Sequence, residues 1–111
     1  VNTKYFSEFK YKQFGYDYSF NQIANDLKSS DCVILNLECA LTTQNRSPYE
    51  GHKEFLLAGQ PVPTVAALLK NNVSAVMLGN NHAMDYGPQG LSETIETLRN
   101  HGIEPFGAGQ N

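Results

Sequence analysis

Residues Gly79-Asn80-Asn81-His82-Ala83-Met84-Asp85-Tyr86-Gly87 place two carboxamides, an imidazole and a carboxylate on one short stretch of chain. Metal-assisted phosphoester chemistry calls for such groups: neutral oxygen donors for a cation, a nitrogen that ligates or moves a proton, and a carboxylate that orients that nitrogen. Asn81 offers a carbonyl oxygen to a metal. His82 can ligate, protonate a leaving oxygen or stabilise a phosphoryl oxygen. Asp85, three residues on, can accept a hydrogen bond from His82 and fix its ring.

The flanking sequence says where this stretch sits. Val73-Ser74-Ala75-Val76-Met77-Leu78 reads as a buried strand, and a helix from about Pro88 to His101 follows, with Leu91, Ile95 and Leu98 inward. The cluster therefore lies at the end of a strand, where open α/β sheets carry their chemistry. Upstream, Ser19 reads as a helix N-cap with Gln22 at the third helical position, and Phe20, Ile23, Ala24 and Leu27 keep helical spacing. Cys32–Glu38 reads as the first strand, apolar enough to be covered on both faces. Residues 39–60 form a long loop, of the kind that is functional or mobile. Pro61 and Pro63 open a second helix, which Asn71-Asn72 stop. Gly102 is placed to close the last helix in a left-handed conformation. Ile103–Phe106 reads as a short strand near a sheet edge, because Pro105 cannot donate to a ladder. The order helix, strand, helix, strand, helix, strand predicts an α/β fold with a parallel sheet at its core.

Parallel strands share their C-terminal edge. Glu38, at the end of the first strand and on the same face as Asn36, can therefore meet Asn81 and His82 across a spacing of ~4.8 Å. Glu38 adds a charged oxygen able to bind a divalent cation. Each residue also has a plainer reading. Glu38 suits a solvated strand end, Asn80 and Asn81 suit left-handed turn positions, and Asp85 suits the start of a helix. Four such groups on one edge make the joint chemical reading the stronger one. His52, in the long loop, reads as a surface residue that could close over the site, and His101 as a polar group at a helix C-terminus.

The composition narrows the classes. With 111 residues and 41% apolar content, the chain can bury one small core. A formal net charge of −3 disfavours non-specific nucleic-acid binding, and the aromatic-rich residues 1–18 read as an arm packed on the domain formed by 19–111. No apolar run approaches the length of a transmembrane helix, and no signal pattern opens the chain. The first residue is not Met and the last five are Gly107-Ala108-Gly109-Gln110-Asn111, so the sequence reads as a fragment. Cys32 and Cys39 bracket the first strand, about 23 Å apart at ~3.3 Å per residue and on opposite faces, which argues for buried free thiols over a disulfide. A nucleotide-binding α/β domain would need a glycine-rich phosphate loop, and none is present.

Asn36-Leu37-Glu38, the Gly79–Gly87 stretch, Gly90-Leu91-x-x-Thr94-x-x-x-Leu98 and Gly107-Ala108-Gly109 occur in an order that resembles the bacterial capsule-synthesis CapA family, also described as poly-γ-glutamate synthesis proteins. The likeness runs from about Phe20 to Asn111. It implies a calcineurin-like metallophosphatase fold, a sandwich of two sheets with helices outside. It implies Asn81 as a metal ligand, His82 as the acid that contacts the phosphoryl group, and Glu38 where metallophosphatases carry a bridging Asp. It implies a divalent metal (Mn, Fe or Zn) and a phosphoester or capsule-polymer substrate. A membrane synthase complex as partner and a place on the extracellular face of the cell membrane are implied with them. The family's early Gly-Asp has only a faint echo in Gly15-Tyr16-Asp17, and its later Gly-His-x-His would fall beyond Asn111. Two readings follow: a metal-dependent phosphoester hydrolase, or a non-catalytic subunit that keeps the fold and binds polymer or synthase.

Overall fold

A computed structural model describes residues 15–109 of the chain. Most of the aromatic arm, residues 1–14, and the last two residues lie outside them.

The strands β1 (Val33–Asn36), β4 (Val73–Met77) and β5 (Glu104–Phe106) form a parallel sheet in the order β1-β4-β5. Between β1 and β4 lie two short strands, β2 (Ala40–Leu41) and β3 (Ala58–Gly59), and a helix, α2 (Pro61–Lys70). A longer helix, α3 (Gly87–Asn100), joins β4 to β5. Sequential strand order combined with right-handed crossovers puts both connecting helices on the same side of a sheet. The two helices do touch each other, α2 packs on β4 and α3 on β5.

The register shows the consequence. Leu35, Val76 and Pro105 are aligned across the three strands and face the helices; Val76 is fully buried in a core with Val65, Leu68, Leu98 and Ile103. The neighbouring rows, Ile34-Ala75-Glu104 and Asn36-Met77-Phe106, face the other way. Ile34 is 59% exposed and Phe106 41% exposed. The expectation that β1 is covered on both faces therefore fails among the described residues: its apolar run is real, but one face of the sheet is bare.

Other departures are local. The first helix does not begin at Ser19. Tyr16–Phe20 form a 3-10 turn, and α1 (Ala24–Ser29) follows with Ile23, not Ser19, at its N-cap and no side-chain cap bond. Tertiary contact overrides the local capping pattern here. Asp17 of the turn pairs with Lys70 of α2 at 2.7 Å, and Phe20 and Leu27 pack against the core. The arm boundary drawn at residue 18 thus falls inside this turn. The long loop is also not featureless, since β2 and β3 pair in parallel near its two ends. Asn72 takes a left-handed φ of 64° after α2, and its amide caps the carbonyls of Leu27 and Ser30. Gly102 takes φ 75° after α3, as its position demands. No described helix is long and apolar enough to cross a membrane.

Candidate functional site

The site lies where β1 and β4 end. The Leu78 amide donates to the Phe106 carbonyl at 2.8 Å, which keeps β4 and β5 together one residue past the ladder. Immediately beyond, two glycines let the backbones cross. A Cβ on Gly79 would lie 3.1 Å from the Gly107 carbonyl oxygen, and one on Gly107, whose φ is +82°, would lie 3.0 Å from the Gly79 nitrogen.

Asn80 then ties the turn to β1. Its Nδ2 donates to Asn36 Oδ1 at 3.0 Å and to the Leu37 carbonyl at 2.9 Å, while its Oδ1 accepts from the His82 amide at 3.0 Å. Asn36 in turn donates to Glu38 Oε1 at 2.6 Å. One hydrogen-bonded chain thus runs from Glu38 through Asn36 and Asn80 to the His82 backbone. Neither Asn80 nor Asn81 has a positive φ. Asn80 makes the turn through its side-chain oxygen, two residues back from the amide it caps, and not through a left-handed backbone. The Asn81 side chain is exposed and stands outside this chain of bonds; its carbonyl oxygen accepts from Lys53 Nζ at 2.6 Å.

His82 and Asp85 form the buried half of the site. His82 Nδ1 lies 2.8 Å from Asp85 Oδ2, with the His82 side chain 13% exposed and the Asp85 side chain fully buried. Burial alone would push the Asp85 carboxyl up. The Lys53 ammonium, the Leu57 amide and the His82 ring outweigh it and hold the carboxyl below its ordinary value. An ionised carboxylate only accepts hydrogen bonds, so Nδ1 of His82 carries a proton. Nε2 is left without a hydrogen-bond partner among the described residues, free to take or give a proton.

The long loop contributes what the sequence did not reveal. Lys53 ion-pairs with Asp85 Oδ1, the Leu57 amide donates to Asp85 Oδ2 at 2.6 Å, and Ser47 Oγ donates to the Asp85 carbonyl at 2.5 Å. Three points of the segment 47–57 therefore converge on one residue. The loop's other flank is held by α3. Thr94 Oγ1 accepts from the Leu41 amide at 2.9 Å, and the Glu93 carboxylate accepts from the Thr42 hydroxyl at 2.5 Å and the Thr43 amide at 3.0 Å. No spacing rule points to Lys53. It sits among exposed loop residues, and its partner lies 32 positions away. His52, next to it, is exposed. His101 donates from Nδ1 to the Thr97 carbonyl at 2.7 Å, the polar helix terminus its position suggested.

The described residues do not by themselves fit a resident divalent metal. Glu38 is the one carboxylate on the open edge. Asn36 Oδ1 is engaged by Asn80, and Asp85 is consumed by Lys53, Leu57 and His82. Among the described residues no group of three or more His, Cys, Asp or Glu side chains stands together as a cage. Glu38 and Asn81 supply two donors, short of the roughly four to eight oxygen or nitrogen ligands such cations take. Both cysteines are free, but only Cys39 is partly buried. Cys32 is exposed, because β1 begins after it and not at it.

Residues 2–111 match the family model described as bacterial capsule synthesis protein PGA_cap. The chain is 29% identical over 99 residues to the capsule biosynthesis protein CapA of Bacillus anthracis, covering 89% of this chain and 24% of that protein. It is 32% identical over 98 residues to the PGA biosynthesis protein CapA of Bacillus subtilis, covering 88% of this chain and 25% of that one. It is 33% identical over 81 residues to a probable polyglutamine synthesis accessory protein of Mycobacterium tuberculosis, covering 73% of this chain and 20% of that one. It thus spans a quarter or less of the length of these curated relatives. No solved structure matches it. Matched over residues 2–111, the chain belongs to the bacterial capsule synthesis family PGA_cap.

Proposed function

We propose that this chain carries the acid–base part of a capsule or poly-γ-glutamate synthesis protein, and that His82 is the group that moves the proton. The observation that carries this reading is the His82–Asp85 pair. A buried, ionised carboxylate fixes Nδ1 at 2.8 Å and leaves Nε2 without a hydrogen-bond partner among the described residues. That arrangement suits hydrolysis of a phosphoester. Water attacks phosphorus and releases a proton to solvent, the ester P–O bond breaks, and protonated His82 gives its Nε2 proton to the leaving oxygen and is reprotonated from solvent. Asp85 orients the ring. Glu38 and Asn81, at the open edge, contact the substrate or contribute donors to a divalent cation. The names of the relatives support a role in capsule or polyglutamate synthesis and nothing finer; within that role, the substrate of this proposal is a polymer-linked phosphoester or the capsule polymer itself, met beside a synthase at the extracellular face of the cell membrane.

The test is a rate comparison on the intact protein with bis(p-nitrophenyl) phosphate and Mn²⁺, wild type against His82→Ala. The expected result is a loss of at least ~100-fold, the scale of a positioned acid. Equal rates would remove His82 from the chemistry.

One observation favours a second reading, a non-catalytic subunit that binds polymer or synthase: the donor set at Glu38 and Asn81 is thin. Metal analysis of the intact protein separates the two. Stoichiometric Mn, Fe or Zn supports the hydrolase, and none, even after loading, supports the binding subunit.

A further inference from the structure

We propose that Lys53 is a positioning residue for His82, clamping both ends of the short turn that carries it. Its ammonium donates to the Asn81 carbonyl at 2.6 Å on one side of His82 and ion-pairs with Asp85 Oδ1 on the other. His82 lies between these two anchors in sequence, and its ring is held by the second oxygen of the same Asp85 carboxylate.

The arrangement is more specific than a surface ion pair. The Lys53 side chain is 33% exposed while Asp85 is fully buried, so the ammonium has left much of its solvent to reach a carboxylate inside the protein. Such desolvation is unfavourable unless the pair is well hydrogen-bonded. Here it is: Lys53 serves Oδ1, and Oδ2 receives both the Leu57 amide and the His82 ring. An aspartate carboxylate rotates broadly about its last torsion unless both oxygens are pinned. Without Lys53, Oδ1 has no partner among the hydrogen bonds of the described residues, and the carboxylate can turn away from the imidazole. The Asn81 carbonyl loses its anchor in the same step, which loosens the backbone on the other side of the ring. Lys53 touches no candidate reacting atom; it acts through Asp85 and the turn.

This deepens the acid–base reading and rests on it only for the activity measurement. The deciding experiment reads the ring directly. The intact protein is labelled with ¹⁵N, and the two-bond ¹H–¹⁵N spectrum of the His82 ring is recorded for wild type, Lys53→Met and Lys53→Arg, each checked for fold by circular dichroism. Wild type is expected to show one tautomer, protonated at Nδ1. Folded Lys53→Met is expected to show a mixture of tautomers, and Lys53→Arg, which keeps the cation, to return toward the single form. A folded Lys53→Met with the wild-type ring spectrum overturns the proposal, as does a Lys53→Arg indistinguishable from Lys53→Met. Should Lys53→Met fail to fold, Lys53→Gln, which keeps a neutral donor, is read by the same criterion. In the phosphodiester assay, Lys53→Met is expected to lower kcat ~10-fold while KM moves less than ~2-fold, the scale for a group that orients a catalytic one. An inactive wild type would remove the hydrolase reading and leave the ring spectrum to decide the role of Lys53.

Discussion

Asp85 Oδ2 accepts from the His82 ring at 2.8 Å and from the Leu57 amide at 2.6 Å, so one buried oxygen links the candidate acid to the far end of the long loop. Orientation of His82 and closure of the segment 47–57 are therefore one structural event. The carboxylate that performs both tasks has no solvent to fall back on.

Asp85→Asn tests this coupling. The amide keeps the shape but loses the charge, leaves Lys53 without its counter-ion and presents an NH₂ where an acceptor stood. Breaking a buried pair costs about 3–5 kcal/mol, and the partial exposure of Lys53 places this case near ~3 kcal/mol. Urea unfolding of the intact protein measures the loss. Hydrogen exchange should accelerate at the Leu57 amide in the same variant, because its acceptor has become a weaker, reorientable one. A stability change under about 0.5 kcal/mol, the ordinary surface range, would show that Asp85 is not the hub of this loop.

Two depressed carboxyls among the described residues contribute to the acid limit of the fold. Asp85 is held low by Lys53, Leu57 and His82 against the upward push of burial, and Glu93 by the Thr42 hydroxyl and by the amide and hydroxyl of Thr43. Both fold with a lower pKa than the unfolded chain has, so the unfolded state binds more protons in acid. Their contribution is complete above the ordinary values of 3.8 and 4.5, and it is lost as pH falls from there through the depressed folded values. Urea midpoints should hold steady above that range and drop below it. In Asp85→Asn the drop should be shallower, since only Glu93 remains.

The elements of the sheet were legible because their signals are local. The apolar runs give β1 and β4, Pro61 opens α2, Gly102 closes α3, and the single Pro in β5 keeps that strand at an edge of the described sheet. The turn was legible as a cluster, and the pairing of His82 with Asp85 followed from their spacing. What could not be read depends on contacts distant in sequence. The ladder of β2 and β3 is two residues long and survives because Thr94 and Glu93 of α3 hold the chain beside it. The start of α1 yields to the docking of Phe20 and Asp17. Lys53 carries no pattern at all, since its meaning comes from a carboxylate that the loop must fold back to meet. The central role of Asn80 was masked by its identity, because Asn suits left-handed turns as well as side-chain-capped ones, and only the backbone angle separates the two.

Gly107 should not tolerate a side chain. Its φ of +82° costs a non-glycine residue about 1–2 kcal/mol, and an added Cβ would sit 3.0 Å from the Gly79 nitrogen, which belongs to the backbone and cannot rotate aside. Gly107→Ala is expected to destabilise by ~2 kcal/mol or more. Gly109→Ala is the control, with nothing within 4 Å of its added carbon, and should change stability by less than about 0.5 kcal/mol. Thermal unfolding of the two variants beside wild type checks the pair. Equal melting temperatures would mean that the Gly79–Gly107 crossing is not close-packed.

The two thiols should differ sharply toward an alkylating reagent. Cys39 packs against the core, and a Cβ at Gly59 would lie 3.5 Å from its sulfur. Burial, with the Asp85 charge adding to it, pushes its thiol up to about 11. The thiolate is the nucleophile, so at pH 8 Cys39 is unreactive on both counts, access and charge. Cys32 stands exposed just before β1. Iodoacetamide at pH 8 should therefore label Cys32 within minutes and Cys39 only on unfolding, as read by peptide mass spectrometry. Because the Asp85 charge contributes to the Cys39 shift, Asp85→Asn should speed labelling of Cys39 by lowering its pKa. Labelling of Cys39 as fast as Cys32 in the native wild-type protein would show that its thiol is open to solvent and that its packing against the core does not hold.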